Sequence, residues 1–176
     1  GRMAVVVVNP APARDAEALR PACAAVEAIA ATVPEPAEVR GAVAKVLAAR
    51  PKVVVVEACG GIAPFPDVGE DATVAMMCVS GGDDKADEYR ALVARADLVL
   101  LGKADLAPYV SFDAAVFRAD VHRHNPLAQV VELSVTDGRN LGKWVTWLEE
   151  RAAAKRRVTR RAARPPGTAA APHHGR

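Results

Sequence analysis

The residues that bear most directly on chemistry are Asn9-Pro10-Ala11-Pro12-Ala13-Arg14-Asp15, which follow the β-branched run Met3–Val8. In a parallel sheet, ligands bind where strands end and helices begin, so this loop holds the place of a phosphate cradle. Such a cradle requires glycines whose amides converge on the phosphates, a lysine, and a hydroxyl for magnesium. Residues 9–15 contain none of these, Pro12 lacks an amide proton, and Asp15 adds a negative charge. Arg14 is basic, but an arginine does not substitute for the lysine of such a site. The loop is not expected to hold a triphosphate.

By the same logic three more loops carry candidates: Ala58–Asp71, Ser80–Lys85 and Gly102–Asp105. Glu57, at the end of a strand, is placed to orient water or magnesium if phosphate binds there, and is otherwise a hydrogen-bonded structural carboxylate. Lys103 and Asp105 form either the remains of a base pocket or an ordinary polar turn, in which Asp105 would make an i to i+2 contact. Asp84 is expected to cap the helix that follows it. Cys23, Cys59 and Cys78 are an odd set without CxxC spacing, which argues against a disulfide framework or a zinc ribbon. Cys59 and Cys78 are the weak metal candidates. His122 and His124 are two apart and cannot share one helix face, so they do not make a metal pair.

The elements that must position these groups alternate. Met3–Val8, Lys52–Glu57, Thr73–Val79 and Asp97–Leu101 are unbroken apolar runs, as expected of strands buried on both faces, and Gln129–Leu133 is half polar, suiting an edge. Leu19, Cys23, Val26 and Ala30 allow a long helix, but Pro21 favours a helix over 14–24 and a strand over 26–32. A helix over 36–49 follows, with Val39, Ala42, Val43, Val46 and Leu47 on one face. Tyr89, Leu92, Val93 and Ala96 define another. Phe112, Ala115, Val116 and Ala119 define a third, with Ser111 placed to cap it and Asp113 favourable to its dipole. Leu141, Trp144, Val145 and Leu148 make the last, with Asn140 as N-cap. Strand–helix alternation of this kind predicts an α/β fold, three layers with a mainly parallel sheet.

Charge divides the chain unevenly. Residues 1–150 hold 15 basic and 21 acidic residues, a net of −6, whereas residues 151–176 hold 8 basic residues and no acidic one. The expected organisation is a domain over 3–158 and a basic Pro/Ala/Arg-rich disordered tail over 159–176. No apolar run approaches the 18 or so residues of a spanning helix, and no signal peptide precedes the first strand, so a cytoplasmic setting is expected. The tail has no interleaved aromatic residues to stack single-stranded bases, and nucleic acid is not an expected partner.

Val79-Ser80-Gly81-Gly82-Asp83-Asp84-Lys85 and Ala96-Asp97-Leu98-Val99-Leu100-Leu101-Gly102-Lys103-Ala104-Asp105 together resemble the HypB family, GTPases that assist nickel insertion into NiFe hydrogenase. The resemblance runs on through Phe112-Asp113, Asn125-Pro126, Glu132-Leu133-Ser134-Val135-Thr136-Asp137-Gly138 and the Trp144/Trp147 pair. It implies a P-loop NTPase-like fold, here truncated, with Lys103, Asp105, Ser134 and Glu57 as what remains of nucleotide binding. It also shows departures. Residues 9–15 stand at the Walker A position without its glycines, and residues 33–37 replace the family's metal-binding Cys-His pair. Gly102-Lys103-Ala104-Asp105 lacks the asparagine of Asn-Lys-x-Asp.

The resulting expectation is a non-hydrolysing pseudo-GTPase serving hydrogenase maturation as a binding or scaffold partner. No catalytic residue and no cofactor are expected. GTP with magnesium, and nickel, enter only if the family activity survives. The partners implied are a second copy of the chain, a hydrogenase maturation protein or a hydrogenase structural protein. A divergent GTPase gripping phosphate through Arg14 or Lys85 and a nickel or zinc module built on Cys59 or Cys78 are the alternatives.

Overall fold

The computed structural model describes residues 3–8, 29–33, 39–48, 50–58 and 67–162. Among the described residues, six parallel strands are arranged in two three-stranded sheets. In the first, β1 (Met3–Val8) lies between β2 (Ile29–Val33) and β3 (Val53–Ala58). In the second, β5 (Leu98–Gly102) lies between β4 (Val74–Cys78) and β6 (Gln129–Glu132). The helices are α1 (Val39–Leu47), the short α2 (Lys85–Glu88) and α3 (Arg90–Val93), α4 (Ala114–His124) and α5 (Leu141–Ala162).

β5 shows why its sequence is unbroken in apolar residues. All five of its residues are buried, and alternate side chains enter two different cores. Val99 and Leu101 pack with Ala75, Met77, Val93, Phe117 and Val121 on the face covered by α2, α3 and α4. Leu98 and Leu100 pack with Leu133 and Trp147 on the face covered by α5, where Leu141, Trp144 and Leu148 close the edge. The second sheet is therefore the middle of the expected three layers. β6 has an exposed first residue and only part-buried ones after it, as its half-polar sequence predicts for an edge.

Several local expectations are corrected. The 26–32 strand is displaced to Ile29–Val33, where it pairs in register with Ala4–Val8; the 14–24 helix lies outside the described residues. The helix expected through Tyr89 is broken there, because Tyr89 leaves the helical region (φ −98°, ψ 29°), although Val93 and Ala96 are buried as expected. In α4 it is Asp113, not Ser111, that caps: its carboxylate accepts from the amides of Ala115 (2.7 Å) and Val116 (3.3 Å). Its buried side chains are Phe117 and Val121, while Ala115, Val116 and Ala119 are exposed. The cause is the start of the helix. Asp83 Oδ2 accepts from the Asp113 amide (3.0 Å), which fixes the rotation at which α4 leaves the loop.

Asn140 is likewise not a side-chain cap. Its φ is +56°, and its amide turns back to donate to the Glu132 carbonyl (2.8 Å), tying α5 to the end of β6. Val145 faces outward, 51% exposed, and Trp147 takes the core position instead. α5 runs on to Ala162, four residues past 158.

Candidate functional site

The loops after β5 and β6 meet because their strands are neighbours. Lys103 adopts the left-handed conformation (φ 57°, ψ 37°), which turns the chain directly from β5 into the 3₁₀ turn Ala104–Tyr109. The Ala104 amide then donates to the Leu133 carbonyl (3.1 Å), and the Leu133 amide to the Leu101 carbonyl (2.9 Å), so the ladder continues past both strand ends. Ser134 is wholly buried in this junction; its amide donates to the Arg139 carbonyl (3.1 Å) and its hydroxyl oxygen accepts from the Asp137 amide (3.4 Å).

Arg139 holds the two loops together. Its Nη1 donates to the Ala104 carbonyl (3.2 Å) and its Nη2 to Asp137 Oδ2 (3.0 Å). Asp137 Oδ1 accepts from the Arg139 amide (2.9 Å), closing a turn over Gly138, whose φ of +76° suits glycine. That amide bond holds the Asp137 carboxyl below the ordinary aspartate value, against an opposing desolvation, with the Ser134 contact and the Arg139 charge adding to the lowering. Sequence reasoning assigned no role to Arg139. The Asp137-Gly138 pair was the available signal, since it marks a turn that returns the next side chain toward the preceding strand.

Lys103 is exposed and Asp105 half-buried, and neither side chain has a hydrogen bond or ion pair among the described residues. The i to i+2 contact of an ordinary turn is not made by Asp105; the Leu106 amide donates to the Lys103 carbonyl (2.9 Å) instead. Gly102 ends β5 opposite Cys78 of β4. A Cβ at Gly102 would meet Met76 Cε at 3.2 Å, the Met77 carbonyl at 3.5 Å and Cys78 Sγ at 3.6 Å. A thioether and a thiol thus border the spot from which an asparagine amide would extend. Lys103, Asp105, Ser134 and Cys78 are accordingly brought to one end of the second sheet. Glu57 lies in β3 of the first sheet, paired with Val7. Residues 9–15 and Cys59 lie outside the described residues.

The neighbouring loop is structural. Asp84 sits at the N-cap of α2 but makes no side-chain cap bond, because its backbone is already helical (φ −77°, ψ −7°) and its carboxylate is turned toward Gly82. Lys85 is ion-paired with Glu88 and lies 6.0 Å over the Tyr89 ring; the Glu88 bond raises its pKa above the usual lysine value. His124 Nε2 lies 2.8 Å from Asp87 Oδ1, which also accepts from Arg123 (2.8 Å), so His124 is held in an ion-pair group rather than set beside His122. Cys78 is a free, part-exposed thiol. No cluster of three or more His, Cys, Asp or Glu side chains able to hold a metal occurs among the described residues.

The chain is similar to known proteins over this region. The family model of the CobW/HypB/UreG nucleotide-binding domain matches residues 22–132. The hydrogenase maturation factor HypB of Azotobacter chroococcum mcd 1 is 37% identical over 92 residues, covering 52% of this chain and 30% of that protein. HypB of Escherichia coli (strain K12) is 39% identical over 83 residues, covering 47% and 29%. The matched stretch is therefore less than a third of the length of these relatives. Among solved structures, HypB from Helicobacter pylori in complex with nickel superposes with a TM-score of 0.76 at 23% identity, over 88% of this chain and 76% of that one. With a family model matching well over half of its 176 residues, and with this order of strands and loops, the chain belongs to the CobW/HypB/UreG nucleotide-binding family and is HypB-like within it.

Proposed function

We propose that this chain is an accessory protein of NiFe hydrogenase maturation that keeps the HypB-like fold as a binding or scaffold surface and does not hydrolyse GTP. The maturation setting is supported by the HypB relatives, which are 37% and 39% identical over 92 and 83 residues. The loss of turnover is supported first by Gly102. The residues bordering it are Met76 and Cys78, which offer no amide to read a guanine edge. The residues at 9–15, without glycine, lysine or hydroxyl, agree with this reading. On this evidence GTP and magnesium do not fit the residues present, and no catalytic step is assigned. The side chains of Lys103 and Asp105 have no partner among the described residues, which suits a surface that meets another molecule. A second copy of the chain, a maturation protein or a hydrogenase subunit in the cytoplasm is the proposed partner.

A divergent GTPase using Lys85 is the less favoured reading, since that ammonium is already committed to Glu88. Calorimetry with GTP and GDP in the presence of magnesium, paired with a phosphate-release assay, tests the proposal. The expected result is no saturable heat at nucleotide concentrations up to about 1 mM, the limit of weak specific binding, and no release above buffer. Micromolar binding with turnover that is lost in Asp105→Ala would overturn it.

A further inference from the structure

α5 leaves the body at Lys155. Up to that point the helix is pinned: Arg151 Nη1 lies 3.7 Å from Asp97 Oδ1 with its guanidinium 5.0 Å over the Trp147 ring, and Lys155 is ion-paired with Asp71. From Lys155 to Arg160 every residue is exposed, and six consecutive positions cover all sides of an α-helix. Arg156, Arg157 and Arg160 have no acidic partner among the described residues. At 100° per residue they lie on the side of the helix opposite Arg151 and Lys155. Between residues 151 and 162 no acidic residue occurs, and the non-basic positions are alanines, Val158 and Thr159. A slender, arginine-studded helix therefore projects from a body whose net charge is −6.

The side chains present select among the partners that a basic helix can take. A lipid surface requires a bulky apolar or aromatic face, and this end of α5 has only Val158. A partner helix requires a sustained seam of large apolar residues, which alanines at 154 and 162 do not supply. A flat acidic protein surface would engage one side of a helix, whereas this one is exposed all round. A major groove about 12 Å wide admits an isolated helix between two phosphate walls, and small side chains let it approach closely. Guanidinium groups match phosphate oxygens two at a time. We infer that the projecting end of α5 binds duplex DNA, with Arg156, Arg157 and Arg160 on backbone phosphates and the acidic body held away from it. The expectation against nucleic acid rested on the lack of aromatic residues for stacking single strands, which a duplex does not require. The binding is one of backbone and groove shape, without sequence preference.

Fluorescence anisotropy of the full chain with a labelled mixed-sequence 24-base-pair duplex, read from 25 to 200 mM salt, tests this. Binding is expected to weaken steeply with salt. The triple variant Arg156→Ala, Arg157→Ala, Arg160→Ala keeps helix-forming residues, which circular dichroism would verify. It should bind at least tenfold more weakly at low salt and flatten the log–log salt slope by about 2.7, three contacts at about 0.9 each. An unchanged affinity or slope in that variant would overturn the inference. So would equal or tighter binding to poly-L-glutamate, which points to an acidic protein, or to phosphatidylserine vesicles, which points to a membrane.

Discussion

Asp137 and Arg139 show how single residues hold the loop that carries Ser134. Asp137 and Gly138 entered the sequence reading only through the family resemblance, and the Arg139 contact was not legible at all, because Arg139 meets the Ala104 carbonyl across 35 positions. The Asp137 carboxyl lies below the ordinary aspartate value of 3.8 chiefly because it accepts from the Arg139 main-chain amide. A carboxyl lowered in the folded state contributes stability that is present above its unfolded pKa and lost as pH falls through the folded one, so the turn should loosen only in acid below 3.8. Carboxyl carbon shifts followed by NMR should give a midpoint under that value. Arg139→Ala should leave most of the lowering in place, since the amide remains. An ordinary midpoint in the parent protein would mean the turn is not formed in solution.

At the scale of elements, the apolar runs were placed to within a residue or two, because a strand buried on both faces leaves an uninterrupted signature. Helix rotation was not. The spacing of Phe112, Ala115, Val116 and Ala119 is as regular as that of Phe117 and Val121, and it is the tertiary contacts that select between them: the bond from the Asp113 amide to Asp83 and the packing of Phe117 and Val121 in the core. Asp113→Ala keeps the main-chain bond to Asp83 but loses the carboxylate that accepts from the Ala115 and Val116 amides, and should lower stability by about 1 kcal/mol; Ser111→Ala should change it by less than about 0.5 kcal/mol, as for an ordinary surface site. Urea denaturation of the two variants checks this. A larger effect at Ser111 would restore the cap read from sequence.

For the whole molecule, α5 is the element that joins the second sheet to the basic extension. Trp147 is 8% exposed and packs on Leu98, Leu100 and Leu133; Trp144 is less buried and stacks on it, ring centroids 5.6 Å apart. Trp147→Ala should destabilise by about 3–5 kcal/mol, as for a buried large side chain. Trp144→Ala should cost about 1–2 kcal/mol, mostly the stacking contribution and partial burial. Thermal and urea unfolding followed by circular dichroism measure both, and a reversal of their order would misplace the anchor. The apolar face read from sequence held Trp144 with Leu141, Val145 and Leu148, and the packing against β5 puts Trp147 in the core with Trp144 beside it.

The sequence by itself determined the α/β class, the parallel order implied by strand–helix alternation, the charge division near residue 150 and the positions of Lys103, Asp105 and Ser134 at strand ends. These follow from periodicity and composition, which are local properties of the chain. Only the tertiary structure decided that Arg139 clips the two loops, that Met76 and Cys78 border Gly102, and that α5 is exposed on every side from Lys155 to Arg160. Each of these is a contact, or an end of contact, between segments distant in sequence. A spacing rule has no access to such distances, which are set by the packing of neighbouring strands and the helices laid across them.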